Sequence, residues 1–266
     1  MTSPVGPPPR VLAAFGLSGP AVAIGGGEGT SWRVDDVVLK PGVDPTFQDW
    51  LGTVMASIEQ RGFRLPDVRR AIGGAWVVEG WGAQSALPGS TTQDGVPDWQ
   101  AVIGAGRAVH AATAALPRPA FLDSRTDPWA RADRAAWAEA PFEVLPELRD
   151  VVVRLRAALK PLGPAHLIHG DLTTNVLTAP GQTPSIIDFS PCWRPPSYAE
   201  GIVIADALCW HAAAPDTLDQ LDVPVTAVAR GLLFRILTTG TDRRRPLAHR
   251  LQESRRYQSV LELLNV

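Results

Sequence analysis

Apolar positions recur at two different periods along this chain, and the change of period divides it. PPPRVLAAFGL opens with a short helical pattern, and PAVAIGGGEGTSWRVDDVVLKPG then reads as strand, glycine-rich turn, strand, tight turn at Asp35-Asp36, and strand. Asp44 is placed to cap and Pro45 to open a helix in which Phe47, Trp50, Leu51, Val54, Met55 and Ile58 recur at helical spacing, ending near Gly62. DVRRAIGG and AWVVEGW predict two further strands around the Gly73-Gly74 turn. The pattern up to Trp81 is thus a small sheet of about five strands with one helix.

Residues 82–98 change to Gln, Ser, Pro, Gly, Thr and Asp, the character of an exposed connection, so the predicted boundaries are 1–81, a linker over 82–98, and 99–266. Beyond the linker the helical period dominates: Trp99 to Ala115, Arg131 to Ala138, Leu145 to Leu159, Ala199 to Ala213, Val223 to Thr239 and Leu247 to Leu264. HLIHGD, NVLT and SIIDF interrupt it as short apolar strands. The class is α+β, with an antiparallel sheet first and a mostly helical part after it.

The chemistry concentrates in HLIHGDLTTNVLTAPGQTPSIIDFS. An apolar strand delivers His169, Gly170 and Asp171, Asn175 follows four residues after Asp171, and a hairpin returns Asp188 to the same end. Two carboxylates and an amide brought together suit a hard cation such as Mg2+, which takes oxygen ligands and shares them with phosphate. Phosphoryl transfer needs that arrangement, because its transition state spreads negative charge over the phosphoryl oxygens while a carboxylate orients the attacking hydroxyl.

HGDLTTNVL followed by IIDFS resembles the catalytic and metal-binding segments of the aminoglycoside phosphotransferase-like kinases, relatives of the protein kinases. The resemblance implies a two-lobed, protein-kinase-like fold, with Asp171 as the base, Asn175 and Asp188 as Mg2+ ligands, and His169 bracing the loop. The chain departs from the family pattern in two places: the family spaces the asparagine five residues after the aspartate, and Ser190 replaces the glycine of its DFG-type segment.

The resemblance also gives a role to GGGEGTSWRV, whose small residues let backbone N–H groups approach phosphates; Gly25, Gly26, Gly27, Gly29, Thr30 and Ser31 are the candidates. Lys40, ending an apolar strand, corresponds to the lysine that contacts the nucleotide phosphates. Glu59 is its expected partner from the following helix, with Asp49 competing. Backbone groups near Glu79, Gly80 and Trp81 are expected to meet the adenine of ATP, with Trp81 either in that pocket or simply packed. After the DFG-like turn, SPCWRPPSYAEG offers Trp193, Arg194 and Tyr198 either as acceptor contacts or as a Pro-rich structural wall. His110, on a helix face among alanines, reads as structural.

Composition narrows the partners. A formal net charge of -2 argues against a nucleic-acid partner, and no stretch reaches the ~18 apolar residues of a membrane span. With two unclustered cysteines and no signal-like start, a cytoplasmic protein is expected. Only Lys40 and Lys160 are lysine, a bias expected of a GC-rich source. The expected function is transfer of the ATP γ-phosphoryl group to a hydroxyl of a small molecule. The tightened Asp-to-Asn spacing and Ser190 motivate the alternative, a nucleotide-binding pseudokinase acting as an interaction module. No acidic pocket of the kind a polycationic aminoglycoside requires is evident.

Overall fold

The computed structural model describes residues 6–25, 31–94, 97–239 and 246–265, which fall into two compact units. The first runs to Asp98 and also takes in Thr174–Asp188; the second holds Trp99–Thr173 and the chain from Phe189 onward.

The first unit is built on β1 (Val22–Ala23), β2 (Trp32–Val34), β3 (Val37–Lys40), β4 (Val68–Arg69), β5 (Val77–Val78) and β6 (Trp81–Ser85). They form one six-stranded antiparallel sheet in the order β1-β2-β3-β6-β4, with β5 also on β6. Alternation along β3 buries Val37 and Leu39 and turns Val38 and Lys40 to the other face. Val34, Val37, Leu39, Trp81 and Ala83, with Val11 of helix α1 (Pro9–Ala14), make the core of this sheet.

The strands around Gly73-Gly74 do not pair with each other; β4 and β5 each pair with β6. Glu79 and Gly80, both at positive φ (50° and 78°), are the two-residue turn of the β5–β6 hairpin, the geometry of a type I′ turn. Gly82–Ser85, expected to begin the linker, therefore lies in the strand with neighbours on both sides. GAQS lacks the β-branched and aromatic residues that mark strands, but flanking ladders outweigh that weak preference.

Helix α2 (Pro45–Thr53) is shorter than its apolar spacing predicts. Asp44 caps it as expected, accepting from the Phe47 N–H at 2.8 Å. It nevertheless stops well before Gly62, passing through one 3-10 turn at Met55–Ser57 into extended chain at Ile58. The Thr53 and Ser57 hydroxyls donate to the Asp49 and Val54 carbonyls, a competition that favours helix ends.

Four strands follow later in the chain: β7 (His166–His169), β8 (Val176–Leu177), β9 (Ser185–Ile186) and β10 (Pro191–Arg194). The β8–β9 hairpin belongs to the first unit although the chain reaches it only after Thr173. Ser90 and Thr178 exchange backbone hydrogen bonds, both at 3.0 Å, and the Arg64 backbone bonds the hairpin at Pro184 and Ile186, at 2.9 and 2.8 Å. These bonds tie the hairpin to the segments flanking the sheet.

The second unit pairs β7 with β10 and surrounds them with α3 (Trp99–Thr113), α4 (Phe121–Ser124), α5 (Pro128–Ala136), α6 (Arg149–Ala158), α7 (Pro196–Trp210), α8 (Thr217–Leu221), α9 (Val225–Thr239) and α10 (Leu247–Leu264). Helix α7 has no distinct polar face and, with Glu200 and Asp206 included, is buried along most of its length, the mark of a central helix. It crosses α9 at backbone contact: a Cβ on Gly201 would lie 2.1 Å from the Ala227 carbonyl oxygen, and one on Gly231 would lie 2.5 Å from the Gly201 carbonyl carbon. Among the described residues no helix is long and apolar enough to cross a membrane.

Candidate active site

The first unit holds three of the expected site residues, Lys40, Asn175 and Asp188. Lys40 leaves the end of β3 and its Nζ pairs with Asp188 Oδ1. Burial pushes the Lys40 ammonium down to about 8. Asp188 follows β9 in the left-handed region, φ 52°, a conformation uncommon for a residue with a side chain and characteristic of functional turns. The Ile187 N–H donates to the Asn175 carbonyl at 2.9 Å, so Asn175 and Asp188 stand at the same end of the β8–β9 hairpin. Among the described residues there is no group of three or more His, Cys, Asp or Glu side chains arranged to hold a metal. A carboxylate with one amide oxygen nevertheless fits Mg2+, whose remaining ligands are characteristically water and substrate phosphate.

The other nucleotide-side expectations fare differently. Gly26, Gly27, Gly29 and Thr30 lie outside the described residues. Ser31 enters β2, its carbonyl accepting from the Ile24 N–H at 2.9 Å and closing β1 onto β2. Glu59 is not on α2 and does not serve as the partner of Lys40: its side chain is 71% exposed and pairs with Arg61. Asp49, the competing candidate, accepts from Trp76 Nε1 at 2.9 Å. Glu79 sits in the β5–β6 turn and pairs with Arg10. Trp81 is a core residue, 7% exposed, rather than a pocket wall.

In the second unit, β7 carries His169 into the core and leaves Asp171 beyond its end. His169 Nδ1 accepts from the Asp171 N–H at 3.2 Å and the Ser190 N–H at 3.3 Å, two bonds that brace the loop. The brace has its own support in His110 of α3, whose Nε2 accepts from the His169 N–H at 3.1 Å.

Burial, with the neighbouring His169, pushes His110 down to about 3 from an ordinary 6.5, so its ring stays neutral and keeps that acceptor. The unfolded chain takes up this proton near 6.5 and the folded chain resists it, so the stability contribution is full above 6.5 and lost as pH falls toward 3. The expected slope is about 1.4 kcal/mol per pH unit. His110→Gln, which keeps an acceptor without a titrating ring, should flatten the acid limb of urea-unfolding stability between pH 6 and 4, on the order of 2 kcal/mol across that range. An unchanged limb would count against this role.

Sequence reasoning missed the groups that hold Asp171. Arg235 of α9 donates from Nη2 to Asp171 Oδ1 at 2.7 Å, and grips Asp206 of α7 through Nε and Nη2 at 2.8 and 2.6 Å. The Thr173 hydroxyl donates to Asp206 Oδ2 at 2.6 Å. Burial opposes the charge on Arg235, but the two carboxylates outweigh it and hold the guanidinium above its ordinary range. The signal was available: GLLFRILT and GIVIADALCW each set one charge within an apolar run, and a buried charge needs a counter-charge.

The acceptor candidates resolve toward the structural reading. Arg194 of β10 is taken up by Asp133 and Glu139, bonded to both carboxylates at 2.6 to 3.2 Å. Tyr198 is 1% exposed and packs edge-on against Trp137 at 5.4 Å. Trp193 lies in β10 opposite Leu167 of β7, partly buried. Arg194 and Tyr198 thus build the wall.

A sheet unit that carries Lys40, Asn175 and Asp188 and a helical unit that carries Asp171 are the parts of a kinase-like fold. The model of the phosphotransferase enzyme family (APH) matches residues 9–220, and the chain belongs to that family. No curated protein sequence matches it. Among solved structures it is similar to AMP-bound spectinomycin phosphotransferase APH(9)-Ia (TM-score 0.62, 11% identity, covering 97% of this chain and 96% of that one). A thermostable mutant of aminoglycoside phosphotransferase APH(4)-Ia, in ternary complex with ADP and hygromycin B, gives a TM-score of 0.59 at 16% identity over 96% of this chain and 97% of that one. A choline/ethanolamine kinase family protein from Mesorhizobium loti gives 0.54 at 18% identity over 96% and 91%.

Proposed function

We propose that this protein is an ATP-dependent kinase that moves the γ-phosphoryl group to a hydroxyl of a small molecule, with Asp171 as base and Mg2+ held by Asp188 and Asn175. The observation that carries the reading is the Lys40–Asp188 pair, which sets a phosphate-seeking cation beside a metal-seeking carboxylate at the end of β3. The family's phosphotransferase activity supports it. So do relatives solved with ADP and AMP and with small-molecule substrates, hygromycin B and spectinomycin.

In this scheme Lys40 turns from Asp188 to the nucleotide phosphates. Bound there, Mg2+ supplies charge neutralisation at the phosphoryl oxygens. The acceptor oxygen attacks the γ-phosphorus, its proton passes to the Asp171 carboxylate, and the bond from the γ-phosphorus to the bridging oxygen breaks to leave ADP. With Glu79 and Gly80 occupied in a hairpin turn, the contact to adenine falls to the chain that leaves β6 after Ser85.

Mg-ATP at about 100 times its Kd should stabilise the fold by about 2.7 kcal/mol, a rise in Tm of roughly 5–10 °C for a chain of this size. Omitting Mg2+ should remove most of that rise. A metabolite-library screen for ADP release then identifies the acceptor. No thermal response to Mg-ATP or Mg-GTP would overturn the reading in favour of a nucleotide-free interaction module.

A further inference from the structure

We infer that Arg235 is a positioning residue for the phosphoryl-transfer step, holding the Asp171 carboxylate from helix α9 with Asp206 and Thr173 as its anchors. The inference rests on the reading of Asp171 as base. Arg235 Nη2 is shared between Asp171 Oδ1 at 2.7 Å and Asp206 Oδ2 at 2.6 Å, while Nε takes Asp206 Oδ1 at 2.8 Å. The planar fork is therefore fixed by its bidentate bond to Asp206 before it reaches Asp171. Asp206 is itself held in place: it is 4% exposed on the central helix α7 and accepts from the Thr173 hydroxyl at 2.6 Å. Thr173 lies two residues after Asp171, so the network closes on the same loop it orients.

A surface ion pair contributes little, but the Arg235 side chain is only 14% exposed, and burial strengthens its bonds to both carboxylates. The Asp171 side chain, at 34%, remains partly open to solvent. The Asp206 carboxylate neutralises Arg235, and the guanidinium in turn fixes where one oxygen of Asp171 lies. His169 fixes the same residue through its backbone N–H, at 3.2 Å. Backbone and carboxylate are thus held from two different elements, as a base that must meet a hydroxyl within a few tenths of an ångström requires. Lysine would not reproduce this, since an ammonium lacks the fork that binds Asp206 through two nitrogens while reaching Asp171.

The test follows ADP release from Mg-ATP with water as the acceptor, in wild type, Asp171→Asn, Arg235→Met and Arg235→Lys, each with its melting temperature. Arg235→Met should lower kcat about 10²-fold with KM for ATP within twofold, because misplacing a catalytic group by about an ångström costs that much. Arg235→Lys should recover about tenfold of the loss, as one charged contact returns. If Arg235→Met melts below the assay temperature, Arg235→Gln is judged by the same criteria. A kcat within threefold of wild type in the uncharged variant overturns the inference alone. So does a loss matching the unfolded fraction with no recovery by lysine. Wild-type release no higher than that of Asp171→Asn overturns the reading of Asp171 and this inference with it.

Discussion

Asparagine in place of Asp171 should lower turnover by about 10²- to 10⁴-fold, the range over which a positioned base contributes, while Mg-ATP still stabilises the fold. The substitution is close to isosteric and separates two roles. The Asp171 N–H continues to donate to His169 Nδ1, so the loop keeps its brace. The asparagine oxygen can still accept from Arg235 Nη2, and Arg235 retains the Asp206 carboxylate as its counter-charge. What disappears is the capacity to take up the acceptor proton. Nucleotide affinity should hold because Lys40, Asp188 and Asn175 belong to the other unit and are untouched. The measurement is ADP release with the screened acceptor alongside a Mg-ATP thermal titration. Turnover equal to wild type would remove Asp171 from the chemistry, and loss of the thermal response with intact folding would make it a nucleotide ligand.

The parts of this site legible in the sequence were those set by local chemistry. VVLK is an apolar run directly after the Asp35-Asp36 turn signal, so β3 and the placement of Lys40 at its end follow from local pattern. Asp44-Pro45 announces a capped helix, and the apolar runs on either side of a polar loop announce the β8–β9 hairpin that carries Asn175 and Asp188. Other features depended on partners distant in sequence. GAQS became a strand because β3, β4 and β5 all pair with β6, which no local preference encodes. Glu59 fell outside α2 because the helix ended early, and the partner of Lys40 came from a residue 148 positions later. The expectation that His110 is structural was right in kind, but its bond to the His169 backbone required β7 beside α3. Arg235 and Asp206 were visible as charges inside apolar runs, but pairing them needed the crossing of α7 over α9.

That crossing yields the largest expected effect on stability. Gly231→Ala should destabilise the fold by about 3 kcal/mol or more, a fall in Tm of roughly 6–12 °C. A Cβ at this position would lie 2.5 Å from the backbone of Gly201 and Ile202. Backbone, unlike the end of a flexible side chain, cannot turn aside, so α9 must move away from α7 as a body. The move loosens the packing of both apolar helices and stretches the 2.6–2.8 Å bonds between Arg235, four residues after Gly231, and Asp206, five residues after Gly201. Gly104→Ala is the control. Gly104 also lies in a helix, α3, but its added Cβ meets nothing within 4 Å, so the higher helix propensity of alanine should stabilise by about 0.5–1 kcal/mol. Thermal and urea unfolding of the two variants distinguishes close helix contact from a general effect of removing glycine. Equal and small shifts would mean that α7 and α9 do not touch through their backbones. If they do, the turnover of Gly231→Ala, measured where it is still folded, should fall by more than its loss of folded protein, because the crossing sets the position of Arg235 and, through it, of Asp171.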